Sequence, residues 1–192
     1  VRRYKGLEHA IAPVVAHLVA EQDKLLQRRR GKIEQLGWAV QGGQLVLYFQ
    51  PQVDMVNREI IRFEALVRWQ HPEEGLLPPG AFLPDIEGSE LEVVVDEWVI
   101  EATLRQLTAW RAEGQRLAVS INIGARHLLR PSFPARLEQL LNAYPEVAAT
   151  DLELENLETA TLSDFDQAQR SLARCRALGV HFALDDFGTG YS

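Results

Sequence analysis

Acidic and amide side chains recur at or near the ends of the short apolar runs in this 192-residue sequence. Asn122 lies near the end of one run, Glu155 ends the next, and Asp185 and Asp186 directly follow the last. Glu64 lies inside an earlier run of the same kind. In parallel α/β folds, the carboxyl ends of the strands carry the chemistry. We therefore expect these five side chains to lie together at one rim.

The five side chains are four carboxylates and one amide, so they offer only oxygen ligands. A carboxylate in a buried strand is costly unless it is paired or bound to a metal. Oxygen ligands suit magnesium or manganese. The adjacent Asp185 and Asp186 can serve two ions about 3.5–4 Å apart, an arrangement used for phosphodiester hydrolysis. The pattern indicates a divalent-metal site.

Each of these residues also has a purely structural explanation. Glu64 could form an ion pair with Arg62 or Arg68. Asn122 could satisfy backbone groups, and Glu155 could be a charge at the rim. Asp185 and Asp186 could form a turn and cap the helix that follows it. Their recurrence at equivalent strand ends favours the metal site.

Composition excludes several classes of protein. The chain is 46% apolar and 24% charged with a mean hydropathy of −0.15, and no apolar run approaches the ~20 residues of a membrane span. A single cysteine, Cys175, excludes a disulfide framework. No export signal is visible, so we expect a cytoplasmic location. The net charge of −7 combines +4 in residues 1–30 with −11 in residues 31–192, and this acidic body argues against binding to DNA or RNA.

The first 30 residues are basic and have the spacing of an amphipathic helix. We expect regular helix to begin at Pro13, an interruption at residues 28–31, and a second short helix over residues 33–40. The helix either packs on its own domain or forms an inter-domain or dimerising linker. Its apolar positions are Leu7, Ile11, Val14, Leu18 and Leu25.

The remaining sequence alternates strands and helices, which predicts an α/β fold with mostly parallel strands. Strands at 45–49 and 60–69 are joined by about ten residues, too few for a helical crossover, so this pair should be antiparallel. A (β/α)8 barrel needs about 250 residues, and five strands cannot close one. Further strands are expected at 117–123, 151–155 and 180–184, and helices at 91–112, after Pro134, and from Ser163.

Five segments in order resemble the signature blocks of EAL domains, bacterial phosphodiesterases that linearise cyclic di-GMP to pGpG. The resemblance runs from about residue 32 to the last residue. It implies a TIM-like (β/α)8 barrel of EAL type with an antiparallel first strand, about five of its eight strands being present. An N-terminal helical linker or coiled coil (1–30) would precede a partial EAL domain (31–192). The segments are Tyr48–Pro51, Glu64–Trp69, Ser120–Ile123, Leu152–Glu155 and Asp185–Ser192.

The resemblance also implies roles for individual residues. Two Mg²⁺ or Mn²⁺ ions would be held by Glu64, Asn122, Glu155, Asp185 and Asp186, of which Glu64, Asp185 and Asp186 are the catalytic set. Cyclic di-GMP would be contacted by Gln50, Leu66 and Arg68. Glu158 would steady the loop that begins at Phe187, which in the family couples dimerisation to metal binding. A homodimer follows from this, and an upstream sensory or GGDEF domain is compatible with it.

Two departures from the family pattern matter. Asn156 and Leu157 stand where the family usually has an aliphatic residue and threonine, which puts the anchoring of the loop in doubt. The family's lysine, general-base glutamate and a further polar ligand are expected beyond Ser192. The complete domain is thus predicted to hydrolyse cyclic di-GMP by two-metal catalysis. The alternatives are a degenerate EAL domain that acts as a cyclic di-GMP receptor or interaction module, and an unrelated magnesium-dependent barrel enzyme.

Overall fold

The computed structural model describes residues 2–156 and 165–184. Within them a long N-terminal helix precedes an alternation of strands and helices, as the sequence predicts. The elements are α1 (Arg2–Gln41), β1 (Leu45–Val53), β2 (Ile60–His71), β3 (Gly75–Leu77), α2 (Leu83–Ile86), α3 (Glu90–Ala112), β4 (Val119–Asn122), α4 (Ala125–Leu128), α5 (Phe133–Ala143), β5 (Leu152–Asn156), α6 (Phe165–Ala177) and β6 (His181–Leu184).

The described strands form one mixed sheet in the order β1-β2-β4-β5-β6, and β3 pairs with the C-terminal end of β2. β1 is antiparallel to β2, while β4, β5 and β6 follow in parallel. The predicted antiparallel first pair is confirmed, and the turn between its strands is closed by Asp54. Its carboxylate accepts hydrogen bonds from the backbone N–H groups of Val56 and Asn57 at 2.7 and 3.1 Å. The architecture is that of a partial TIM-like barrel.

The two faces of the sheet differ in chemistry because successive side chains in a strand point to opposite faces. In β4, Val119 and Ile121 are fully buried in the hydrophobic core, and so are Leu152 and Leu154 in β5. Residues of α3, α5 and α6 belong to the same core, including Leu104, Leu137 and Cys175. The alternate positions of the strands carry the polar side chains. The polar face is therefore the one that faces the barrel interior.

The prediction for the N-terminal helix was wrong in its boundaries. α1 is one 40-residue helix that continues through Pro13 and Gly31. Gly31 costs only about 1 kcal/mol in a helix, and anchors on both sides of it offset that cost. The Arg29 guanidinium donates to the backbone carbonyls of Asp85 and Glu87 at 2.8 and 2.6 Å, and Lys32 forms an ion pair with Asp85 at 2.6 Å.

The two ends of α1 have different surroundings. Leu36 and Ala39 are fully buried in the core, whereas all side chains from residue 14 to residue 32 are exposed. The exposed set includes Val14, Leu18 and Leu25. The role of residues 1–30 as a linker or coiled coil stays a prediction. Among residues 2–156 and 165–184, no helix is both long and apolar enough to cross a membrane.

The short strand β3 was not predicted, because the sequence after Trp69 is rich in turn residues. Gly75 has a φ of +76°, a left-handed conformation that favours glycine, and it allows the chain to fold back on β2. Trp69 pairs with Leu77 across this hairpin. The turn residues thus mark a tight hairpin rather than an irregular loop.

Candidate functional site

Glu64 and Asn122 meet at the rim of the sheet. The side-chain amide Nδ2 of Asn122 donates a hydrogen bond of 3.0 Å to Oε1 of Glu64. Glu64 lies beside Ser120 in the β2–β4 register, so Asn122 is two residues further along β4 on the same face. Two strands separated by more than 50 residues of sequence therefore place a carboxylate and an amide in direct contact.

Glu155 joins this pair from the next strand. It is the direct register partner of Asn122 in the parallel β4–β5 ladder, so the two side chains lie on the same face. The ladder extends one residue further, since the backbone N–H of Ile123 donates to the carbonyl of Glu155 at 2.9 Å. Glu155 is buried. Three neighbouring strands thus bring Glu64, Asn122 and Glu155 to one end of one face.

The ion-pair explanation for Glu64 is not what the structure shows. Arg62 forms its ion pair with Glu153, on the neighbouring part of the polar face. The Arg68 guanidinium donates at 2.9 Å to the backbone carbonyl of Val67. Glu64 instead accepts the hydrogen bond from Asn122.

The donor chemistry of the rim fits a hard divalent cation. Glu64 and Glu155 are carboxylates and Asn122 carries an amide oxygen, and such ligand types suit Mg²⁺ or Mn²⁺. In the part of the chain that the structure describes, no three His, Cys, Asp or Glu side chains are close enough to hold a metal ion by themselves. Asp185 and Asp186 lie outside the described residues, as does Glu158. The assignment of all these side chains stays a prediction.

The predicted substrate-binding residues lie on the same face of β1 and β2. Gln50 is the register partner of Glu64, and Leu66 is that of Tyr48. Arg68 is half-buried two residues beyond Leu66, and its guanidinium carbon lies 5.8 Å from the centre of the Tyr48 ring. A cation over an aromatic face is attracted by the ring quadrupole. The structure thus holds a positive charge on the face that carries Glu64.

One acidic residue near the site was missed by sequence reasoning. Asp96 of α3 is buried, and its Oδ2 accepts a 3.0 Å hydrogen bond from the backbone N–H of Gly124. The same oxygen lies 3.3 Å from Nδ1 of His127. Burial raises the pKa of the Asp96 carboxyl, although His127 and the Gly124 N–H oppose the shift. The sequence feature that could have indicated Asp96 is its position as an aspartate between apolar residues of a predicted amphipathic helix.

A cavity of about 530 Å³ opens beside Asn122, between the segment around α2 and the turn after β4. Its wall is largely apolar and includes Leu83 and Val95, while Asp96 and Glu92 contribute carboxylates. Burial raises the pKa of Glu92, and the backbone N–H of Gly88 opposes this by donating to its Oε2 at 2.7 Å. The rim is therefore bordered by a concave surface large enough for part of a small ligand.

The fold and the polar rim define an α/β barrel domain with an oxygen-lined site at the carboxyl ends of its strands. The EAL domain family model matches residues 33–192, and the chain belongs to this family. Membership of the family excludes the unrelated barrel enzyme considered above.

Characterised relatives share this region. The chain is 39% identical over 160 residues to the cyclic di-GMP phosphodiesterase NbdA of Pseudomonas aeruginosa, covering 83% of this chain and 20% of that protein. It is 39% identical over 155 residues to the cyclic di-GMP phosphodiesterase PdeR of Escherichia coli, covering 80% and 23%. The chain spans about a fifth to a third of the length of the curated relatives it matches.

Solved structures agree with the fold. The PaMucR phosphodiesterase in complex with c-di-GMP is 34% identical with a TM-score of 0.77, over 84% of this chain and 66% of that chain. The EAL domain of Xanthomonas citri FimX, in complex with c-diGMP, is 25% identical with a TM-score of 0.72, over 82% and 61%.

Proposed function

We propose that this chain is the greater part of a phosphodiesterase domain that hydrolyses cyclic di-GMP to pGpG. The observation that carries the proposal is the meeting of Glu64, Asn122 and Glu155 at one strand-end rim in a member of the EAL family. Relatives with 39% identity are cyclic di-GMP phosphodiesterases, which supports the substrate. The reaction is hydrolysis of a 3′–5′ phosphodiester, in which water attacks phosphorus and the 3′ oxygen leaves.

Glu64, Asn122 and Glu155 would hold divalent cations together with Asp185 and Asp186. When bound, two Mg²⁺ or Mn²⁺ ions supply Lewis-acid stabilisation of the phosphate and activate water. Asn122 keeps the Glu64 carboxylate in place through the 3.0 Å hydrogen bond, so one ligand orients another. A rigid set of this kind lowers the cost of organising the site during the reaction.

Arg68 would bind a non-bridging oxygen of the phosphate. A guanidinium donates charge-assisted, often bidentate hydrogen bonds to phosphate. The Tyr48 ring and the Val67 carbonyl hold the guanidinium on the face of Glu64. Gln50 pairs with Glu64 in the β1–β2 register, and Leu66 lies between Glu64 and Arg68 along β2. Both would contact the nucleotide.

A second candidate function is a cyclic di-GMP receptor without turnover. The observation that favours it is the Asn156-Leu157 pair, which replaces the usual aliphatic residue and threonine of the family. A loop that is not anchored would leave binding intact and remove catalysis.

Turnover by the full-length protein separates these functions. With Mg²⁺ or Mn²⁺ we expect cyclic di-GMP to be converted to pGpG, as followed by anion-exchange chromatography, and the reaction should stop with a chelator and resume on re-addition of the cation. Binding of cyclic di-GMP with saturating cation and no product identifies the receptor. If the protein neither binds cyclic di-GMP nor forms product, both candidate functions are contradicted.

A further inference from the structure

The turn that follows Asn122 is held from two sides. On one side, the backbone N–H of Ile123 donates to the carbonyl of Glu155 at 2.9 Å. On the other, the backbone N–H of Gly124 donates to the Asp96 carboxylate at 3.0 Å. These donors are the next two residues after Asn122, so its backbone position depends on β5 and on α3.

The Asp96 carboxylate is itself well fixed. It is 8% exposed, and its Oδ2 lies 3.3 Å from Nδ1 of His127, which is 2% exposed. The His127 ring packs edge-on against Phe133 with ring centres 4.6 Å apart. Because α4 holds His127 and the core holds Phe133, the Asp96 oxygen that accepts from Gly124 also has a rigid neighbour in His127. A buried carboxylate that accepts a backbone hydrogen bond is a strong constraint on that backbone.

A second carboxylate closes the remaining space at this turn. Glu92 is one helical turn before Asp96, and a Cβ atom placed on Gly124 would lie 2.0 Å from Glu92 Oε1. The same carboxylate accepts the hydrogen bond from Gly88. A side chain at Gly124 would therefore have to displace the Glu92 carboxylate, so glycine favours the close approach to α3 that brings the Gly124 N–H to Asp96.

We propose that Asp96 is a positioning residue for Asn122, acting through the N–H of Gly124. This inference rests on the proposed function, since it assigns Asp96 to the support of a cation ligand. Asp96 fixes where β4 ends and thereby sets the reach of the Asn122 amide toward Glu64. Partners of this kind, which orient a ligand without touching the ion, typically change metal affinity or activity by 10–100-fold when removed.

The test is binding of Mn²⁺ alone to the full-length protein, measured by titration calorimetry, together with hydrogen exchange at Gly124. Asp96→Ala should weaken Mn²⁺ binding by about 10–100-fold and remove protection of the Gly124 amide. Asp96→Asn keeps an acceptor oxygen for Gly124, so it should retain the protection and lose no more than about fivefold in affinity. Glu101→Gln, on the exposed side of the same helix, is the matched control and should change neither.

A double-mutant cycle shows whether Asp96 acts through Asn122. Asp96→Ala combined with Asn122→Ala should bind Mn²⁺ no more weakly than Asn122→Ala alone. Wild-type affinity in Asp96→Ala, or a loss in Asp96→Asn equal to that in Asp96→Ala, would overturn the positioning role while leaving the proposed function intact. A wild-type protein that binds no Mn²⁺ would instead overturn the proposed function, and the role of Asp96 with it.

Discussion

Replacing Glu64 with glutamine should reduce cyclic di-GMP turnover by at least about 10³-fold. A bound cation contributes several kcal/mol of charge stabilisation to the transition state, and about 4 kcal/mol corresponds to ~10³ in rate. Glutamine has the shape of glutamate and an acceptor oxygen for the Asn122 amide, so the hydrogen bond between strands can persist. The variant removes the charge and leaves the packing unchanged. Steady-state kinetics at saturating Mn²⁺ measures the effect.

Glu73→Gln is the matched control, because Glu73 is an exposed carboxylate in the β2–β3 turn. It should keep wild-type turnover, and both variants should have wild-type thermal unfolding midpoints. If Glu64→Gln turns over cyclic di-GMP like the wild-type protein, the carboxylate is not needed at the rim and the cation assignment is wrong.

Replacing Arg68 should weaken the binding of cyclic di-GMP by about 10–150-fold. A hydrogen bond to a charged group contributes about 1.5–3 kcal/mol, and each 1.4 kcal/mol is a factor of ten in affinity. Arg68→Ala removes the guanidinium, and Arg68→Met removes it while keeping most of the apolar stem that packs in the half-buried position. Titration calorimetry with cyclic di-GMP in the presence of a chelator, which should stop turnover, measures the affinity.

The two Arg68 variants should lose affinity to a similar extent if the phosphate contact is responsible. Arg105→Ala provides the control, since Arg105 is exposed on α3 and pairs only with Glu101 among the described contacts. Unchanged affinity in Arg68→Met would make Arg68 a structural residue that holds the Val67 carbonyl and the Tyr48 ring.

Local sequence patterns were sufficient for five of the six described strands and for the meeting of Glu64, Asn122 and Glu155 at one strand-end rim. The short connection before Ile60 required antiparallel pairing, and the apolar runs around Ile121 and Leu154 marked the buried strands. Because parallel strands end at a common edge, the polar residues at their ends could be expected to meet. The contact between Asn122 and Glu64 agrees with this expectation.

Features that depend on tertiary contacts could not be predicted in the same way. The interruption expected near Gly31 is absent because Arg29 is anchored by carbonyls more than 50 residues away in sequence. The role of Asp96 depends on the approach of α3 to the turn at Gly124, which no local pattern encodes. The low helix propensity of Gly31 and the usual exposure of an aspartate such as Asp96 are both outweighed by such long-range contacts.

The central claim is that the rim formed by Glu64, Asn122 and Glu155 holds the divalent cations used for hydrolysis. Anomalous diffraction from crystals of the full-length protein grown with Mn²⁺ and cyclic di-GMP tests it most directly. We expect anomalous peaks about 2.0–2.6 Å from oxygens of all three side chains, next to a phosphate of the ligand. Anomalous peaks only at other sites, or a bound dinucleotide with no anomalous peak at this rim, would contradict the claim.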